Sequence, residues 1–259
     1  MIWIDTHCHL YSEEFNEDRS AALKRAMDQG IQRIYLPAID SESHQALLDL
    51  EAAHPDHCFA MMGLHPCSVG DDPTQELQIV LEYWNQRDFV AVGEIGIDLY
   101  WRNDNLEQQK HAFRTQITWA VERNKPFVIH CREAFDEVFS VLDEFQGTPL
   151  MGIFHCFSGT LEQAKRAISY GLLLGIGGVI TYKKAGVAEV IQNIPLSHLV
   201  LETDAPYLPP TPHRGKRNEP TFLLHTAEKL SEVTGAPLSR IASMTSENAL
   251  SLFHGKQSK

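Results

Sequence analysis

Apolar and polar positions follow two rhythms that alternate along the chain without a break. Short, near-continuous apolar runs occupy residues 2–6, 31–39, 58–64, 89–95, 126–130, 151–157, 172–176 and 199–203. Runs of this length predict strands buried on both faces. Helical spacing fills the intervals at 19–29, 43–53, 73–86, 106–123, 133–145, 160–170 and 185–192, and two further helices, 222–233 and 238–252, close the chain. The punctuation agrees: Gly30 suits a helix C-terminus, and Asp72 with Pro73 reads as an N-cap followed by a first-turn proline. Eight strands alternating with helices predict a parallel sheet covered on both faces. At 259 residues this points to an α/β fold, a closed (β/α)8 TIM barrel, with an open doubly wound sheet as the competitor. Gly175-Ile176-Gly177-Gly178 follows a strand but lacks the spacing of a dinucleotide fingerprint. No repeat or linker divides the chain, so one domain over 1–259 is expected. The longest irregular stretch, 208–220, is basic and proline-rich, and a loop of that length in a compact domain is usually functional or disordered.

Composition narrows the class. At 43% hydrophobic and 22% charged residues the chain has ample material for a core. No apolar run reaches the roughly eighteen residues of a membrane span, and Asp5 and His7 interrupt any leader-like opening. A cytoplasmic protein without membrane association is expected, and nothing marks an obligate protein partner. The net charge of −12 argues against broad adhesion to duplex DNA, which needs a basic footprint. It leaves room for a small anionic substrate if bound cations reverse the local field. The five cysteines have no C-x-x-C spacing, so a disulfide framework is not expected. Strand alternation is expected to turn Cys8, Cys131 and Cys156 away from the pocket, as small buried hydrophobes.

The chemistry gathers where strands end. Asp5-Thr6-His7-Cys8-His9 follows the first apolar run, and residues two apart on a strand face the same way, so His7 and His9 form a candidate metal clamp. The fourth strand ends in Glu94, the fifth in His130, the sixth in His155 and the eighth in Glu202-Thr203-Asp204. In a barrel these ends form one ring on the face where barrel enzymes carry their sites. Any single histidine is more often a satisfied core or surface residue, as we read His44, His54, His57, His111, His198, His225 and His254. The set is different, because buried apolar strands that repeatedly end in unpaired His or Glu would be costly. His7, His9, Glu94, His130, His155 and Asp204 exceed what one tetrahedral ion needs. Two divalent cations sharing a carboxylate is the simplest arrangement.

Six blocks in this order resemble the TatD family of metal-dependent hydrolases: Asp5-Thr6-His7-Cys8-His9, Gly63-Leu64-His65-Pro66, Gly93-Glu94-Ile95-Gly96-Ile97-Asp98, His130-Cys131-Arg132, His155-Cys156-Phe157-Ser158-Gly159 and Glu202-Thr203-Asp204-Ala205-Pro206. The resemblance runs from Ile4 to the 248–253 end. It implies an amidohydrolase-type barrel and a divalent-metal-dependent deoxyribonuclease that trims nucleic acid from the 3′ end. It further implies one metal held by His7, His9 and Asp204 and another by His130 and His155, with Glu94 bridging.

The residues suggest a compatible chemistry. Two cations can acidify a shared water and neutralise charge on a phosphoryl oxygen. Asp204 is the candidate general base, with Glu94 beside it, and Glu202 is either a supporting partner or a buried backbone acceptor. Candidate substrate contacts are Arg132, which could grip a phosphate as a fork, His65, Ser158 before a Thr160–Gln163 capping box, and Arg214 and Asn218 on the basic loop. The expected partner is therefore nucleic acid as substrate, a single-stranded DNA end or oligonucleotide. The rivals are C–N or ester hydrolysis, such as deacylation of aminoacyl-tRNA, and a non-catalytic metal-binding module. The four imidazoles suit Zn, Mn, Ni or Fe better than Mg, whereas the family resemblance implies magnesium.

Overall fold

The computed structural model describes residues 1–254. Its eight strands are β1 (Trp3–Asp5), β2 (Ile31–Leu36), β3 (Cys58–Ala60), β4 (Val92–Asp98), β5 (Phe127–Arg132), β6 (Gly152–Phe154), β7 (Leu172–Ile176) and β8 (Leu199–Leu201). Between and after them lie α1 (Arg19–Asp28), α2 (His44–Ala53), α3 (Thr74–Gln86), α4 (Leu106–Glu122), α5 (Phe135–Asp143), α6 (Leu161–Ser169), α7 (Val187–Ile191), α8 (Leu223–Thr234) and α9 (Leu238–His254). The strands pair in parallel in two arcs, β1–β2–β3 and β4 through β8. Backbone bonds join the arcs at both seams. Gly93 N–H donates to Met62 O at 3.0 Å on one side, and on the other Thr6 N–H donates to Leu201 O at 3.0 Å and Asp204 N–H to His7 O at 2.9 Å. The sheet is thus a closed α/β barrel of the (β/α)8 type.

Alternation along the strands divides the apolar side chains into two layers. One large cluster lies between the strands and the surrounding helices. The other fills the barrel, where Ile4, Tyr35, Met61, Val128, Ile153 and Val200 meet Ala249 and Phe253 of α9. Phe253 stacks on Tyr35 with ring centroids 3.9 Å apart, which plugs the N-terminal end of the barrel with hydrocarbon. The opposite end is left for polar groups. Among the described residues no helix is long and apolar enough to cross a membrane.

Several boundaries move. The first strand stops at Asp5, so pleat alternation does not carry His7 and His9; backbone bonds from Cys8 N–H to Tyr35 O and from His9 N–H to Ala205 O hold that stretch instead. The fourth strand begins later than expected and continues to Asp98, which places Glu94 near its start and not at its end. Gly96 makes the continuation possible. At φ +145° it pairs with His130, and a Cβ there would collide with the His130 carbonyl. Helix α3 starts at Thr74; Asp72 Oδ1 accepts from Thr74 N–H at 3.0 Å, one step outside the helix. The capping box forms as expected, with Thr160 and Gln163 bonded reciprocally.

Candidate metal centre

The six side chains singled out at the strand ends meet at one point, around the two oxygens of Glu94. Oε2 faces the first strand, 3.0 Å from His7 Nε2 and 3.6 Å from His9 Nε2. Oε1 faces the second arc, 2.9 Å from His130 Nδ1 and 3.8 Å from His155 Nε2. Asp204 closes the ring, its Oδ1 3.7 Å from His7 Nε2, 3.6 Å from His9 Nε2 and 3.8 Å from His155 Nε2. The local folding explains the convergence. Val128, His130 and Arg132 share one face of β5, so the polar pair stands above the apolar filling, whereas Glu202 and Asp204 lie past the end of β8, where Asp204 N–H donates to His7 O at 2.9 Å. Glu94 breaks that parity: a register shift between Val92 and Ile95 turns it inward. Asp204 adopts φ +58°, a left-handed conformation that Asp tolerates better than most residues.

Partners outside the ring fix which nitrogen carries the proton. Tyr11 donates its hydroxyl hydrogen to Pro37 O at 2.6 Å, so its oxygen accepts from His9 Nδ1–H at 3.0 Å. That leaves the lone pair of His9 on Nε2, facing Glu94 and Asp204. Asp98 Oδ2 accepts from His130 Nε2–H at 2.8 Å, directing Nδ1 inward. Glu202 Oε1 lies 2.9 Å from His155 Nδ1 and accepts from Cys156 N–H at 2.5 Å. The backbone-acceptor reading of Glu202 therefore holds, and the same oxygen stands beside the His155 ring. Gly175 makes room for it, because a Cβ at that position would overlap the Glu202 carboxylate.

His65 behaves differently. Its Nδ1 accepts from Cys67 N–H at 3.1 Å, so the neutral ring carries its hydrogen on Nε2. That hydrogen points into the centre, 3.5 Å from Glu94 Oε1 and 3.2 Å from His130 Nδ1. His65 is a hydrogen-bond donor to the site, in contrast to His9, which turns the lone pair of Nε2 inward.

The charge balance fits divalent cations. His7, His9, Glu94, His155 and Asp204 are buried, and among the described residues no lysine or arginine pairs with these carboxylates; only imidazoles face them. Burial pushes Asp204 up to about 7, against the opposing pull of His155. Burial likewise works to raise Glu94, but His7, His65 and His155 outweigh it and hold that carboxyl well below its ordinary range. Burial lowers His7 and His9, keeping them neutral as ligands must be. A buried cluster of imidazoles and carboxylates that no lysine or arginine neutralises suits a metal centre. Two groups within it, His7–His9–Glu94 and His7–His155–Asp204, each bring their ligand atoms close enough to hold one ion.

The centre floors a cavity of about 700 Å³ that His65, Arg132 and Ser158 also line. The other two substrate candidates are not brought there. Asn218 is fully buried, with Nδ2 donating to Thr203 O at 2.7 Å and Tyr207 O at 2.6 Å. It staples the basic loop to the end of β8 and has no atom left for substrate. Arg214 is exposed over the Tyr182 ring at 3.9 Å and is not among the cavity walls. Cys131 and Cys156 also depart from expectation, since both line the cavity. Residue 156 lies past the end of β6 at φ +45°, where strand alternation no longer applies. Cys8 is buried as expected, its Sγ 3.8 Å from Ala205 O. Asp98 and Tyr11 were missed by sequence reasoning. Asp98 sits inside a quoted block but at no expected strand end, and nothing local marks Tyr11.

The family described as TatD related DNase matches residues 4–254. The chain is 36% identical over 250 residues to a Bacillus subtilis protein named uncharacterized metal-dependent hydrolase YabD, covering 96% of this chain and 98% of that one. It is 32% identical over 256 residues to the 3'-5' ssDNA/RNA exonuclease TatD of Erwinia tasmaniensis, covering 96% and 99%. Among solved structures, Escherichia coli YjjV, a TatD homolog, superposes with a TM-score of 0.91 at 32% identity over 97% of this chain and 98% of that one.

Proposed function

The chain belongs to the TatD family of metal-dependent hydrolases, and from that premise we propose that it hydrolyses phosphodiester bonds at the 3′ ends of single-stranded nucleic acid. One observation carries the reading: the two oxygens of a single buried carboxylate, Glu94, face two separate sets of nitrogen donors. His7, His9 and Asp204 would hold one divalent cation, His130 and His155 the other, with Glu94 shared between them. The 3′ polarity and the single strand rest on the printed name of the Erwinia relative. When bound, such a pair of cations lowers the pKa of water and neutralises charge on a phosphoryl oxygen.

The chain's own groups supply the rest. Asp204, at the edge of the ring beside His7, His9 and His155, takes the proton of the attacking water and passes it towards the leaving oxygen. The Nε2–H of His65 is aimed at the same space and donates to a phosphate oxygen there. Arg132 at the rim grips a neighbouring phosphate with its planar fork. Burial of the floor excludes bulk water, which strengthens each of these interactions.

The test is product analysis on 3′- and 5′-labelled single-stranded DNA with Mg, Mn, Zn and Ni in turn, using wild type and Asp204→Asn. Stepwise loss of 3′ nucleotides, falling at least 100-fold in an Asp204→Asn protein that still binds metal, is the expected result. Turnover of carboxylic esters with no phosphodiester cleavage under any metal would move the reaction to carbonyl chemistry.

A further inference from the structure

Most large apolar side chains of the described residues are covered. Besides Met1 and Ile2 at the start of the chain, the exposed ones are Trp101 at 70%, Tyr100 at 50%, Tyr207 at 46% and Leu208 at 39%. All four sit on the two loops that follow β4 and β8. Trp101, Tyr207 and Leu208 line the cavity, and Tyr100 packs edge-on against Trp101 with centroids 4.9 Å apart. In an eight-stranded ring β4 and β8 are four strands apart, so the loops are lips on opposite sides of the mouth. Leaving this much planar hydrocarbon in water is unfavourable, and such a patch at the rim of a polar site marks a contact surface.

Both lips are tied directly to the metal centre. Asp98, whose Oδ2 holds His130, uses Oδ1 to accept from Tyr100 N–H at 2.9 Å and Trp101 N–H at 3.1 Å. Tyr207 N–H donates to Asp204 O at 2.8 Å, and its ring meets that of His9 edge-on at 5.8 Å. A guanidinium completes the first lip, with Arg132 Cζ 3.7 Å above the Tyr100 ring and 5.6 Å from that of Trp101. Aromatic faces beside a phosphate-gripping arginine are the chemistry of nucleobase stacking, which accepts every base because each has a π-face.

Resting on the nuclease reading, we propose that Trp101 and Tyr207 are a clamp for unpaired nucleobases at the end being cleaved. The clamp makes the enzyme selective for single strands independently of sequence. A base held between the lips must first leave its stack, so a paired end has nothing to offer them.

The experiment measures binding of the full chain as purified to two 5′-fluorescein oligonucleotides by fluorescence anisotropy. Both carry phosphorothioates at the last three linkages to slow cleavage, and one has abasic residues in place of its last three nucleotides. Wild type should bind the base-bearing end about tenfold more tightly, a preference that Trp101→Ala and Tyr207→Ala each reduce and the double variant abolishes. Trp101→Phe, which keeps a stacking face, should retain most of it. Equal affinity of wild type for the two ends, or an undiminished preference in the double variant, overturns the clamp whether or not the enzyme cleaves. A preference that behaves as expected in a protein that hydrolyses no phosphodiester overturns the nuclease reading alone.

Discussion

At the scale of single residues, the ring around Glu94 is organised by groups that lie outside it. Tyr11 sets the tautomer of His9, Asp98 holds Nε2 of His130, and the Glu202 carboxylate stands 2.9 Å from His155 Nδ1. Tyr11 shows how such a residue acts: its hydroxyl relays a fixed backbone carbonyl, Pro37 O, to a ligand nitrogen. Tyr11→Phe removes the acceptor for His9 Nδ1–H while keeping the ring. Metal affinity should fall about 10- to 100-fold, with the urea midpoint of the metal-free protein moving far less. Isothermal titration with Zn and Mn reads the first quantity directly, and unchanged affinity would remove Tyr11 from the centre. That these six side chains would gather was legible because each is a polar residue at or near the end of an apolar run. Their supporters were not, since Tyr11 reaches His9 through a turn, and Asp98 lies on a strand whose extension depends on Gly96.

Elements explain why the alternation of apolar runs identified the barrel but not its seams. The burial of eight short strands on both faces is written in composition, whereas the backbone bonds that close the seams are reinforced by side chains from distant parts of the chain. Asp5 is the main example. Its carboxylate accepts from Thr203 N–H at 2.9 Å, from Thr203 Oγ1–H at 2.6 Å and from His7 N–H at 3.3 Å, sewing β1 to the end of β8. Asn218 does similar work for the basic loop, and charge alone mistook it for a substrate contact because burial cannot be seen in a run of polar residues. Asp5→Ala strands two buried donors of Thr203. It should cost about 2–4 kcal/mol in urea unfolding and loosen His7, so that metal binding weakens together with stability. A loss below about 0.5 kcal/mol would show that hydrogen bonding between the backbones closes the barrel unaided.

For the molecule as a whole, a dense set of buried ionisable groups makes the metal-free state sensitive to pH. Burial works to lower His130, but its bonds to Asp98 and Glu94 prevail and raise it from 6.5 to about 9. Burial raises Asp5, Glu202 and Asp204 to about 7. Burial lowers His7, His9, His65 and His155, which acts in the opposite sense near pH 6.5. It is therefore between about pH 7 and 9 that the raised groups leave the folded chain holding more protons than the unfolded chain. The stability from His130 is complete below pH 6.5 and is lost as pH rises towards 9, a decline of roughly 2 kcal/mol in chelator. Divalent cations should reverse the trend, because they bind the deprotonated ligands more tightly as pH rises. Urea midpoints at pH 6.5, 7.5 and 9, with chelator and with Mn, test both signs. A flat profile in chelator would mean that His130 is not held by the two carboxylates.

The account depends on Glu94 joining two cation sites drawn from both arcs of the barrel. Metal content by inductively coupled plasma mass spectrometry, on wild type and Glu94→Ala reconstituted with Zn or Mn and then desalted, tests this most directly. Two ions per chain in wild type and at most one in the variant are expected. A wild type that retains none, or a variant that still retains two, would contradict a shared carboxylate at the centre of the fold.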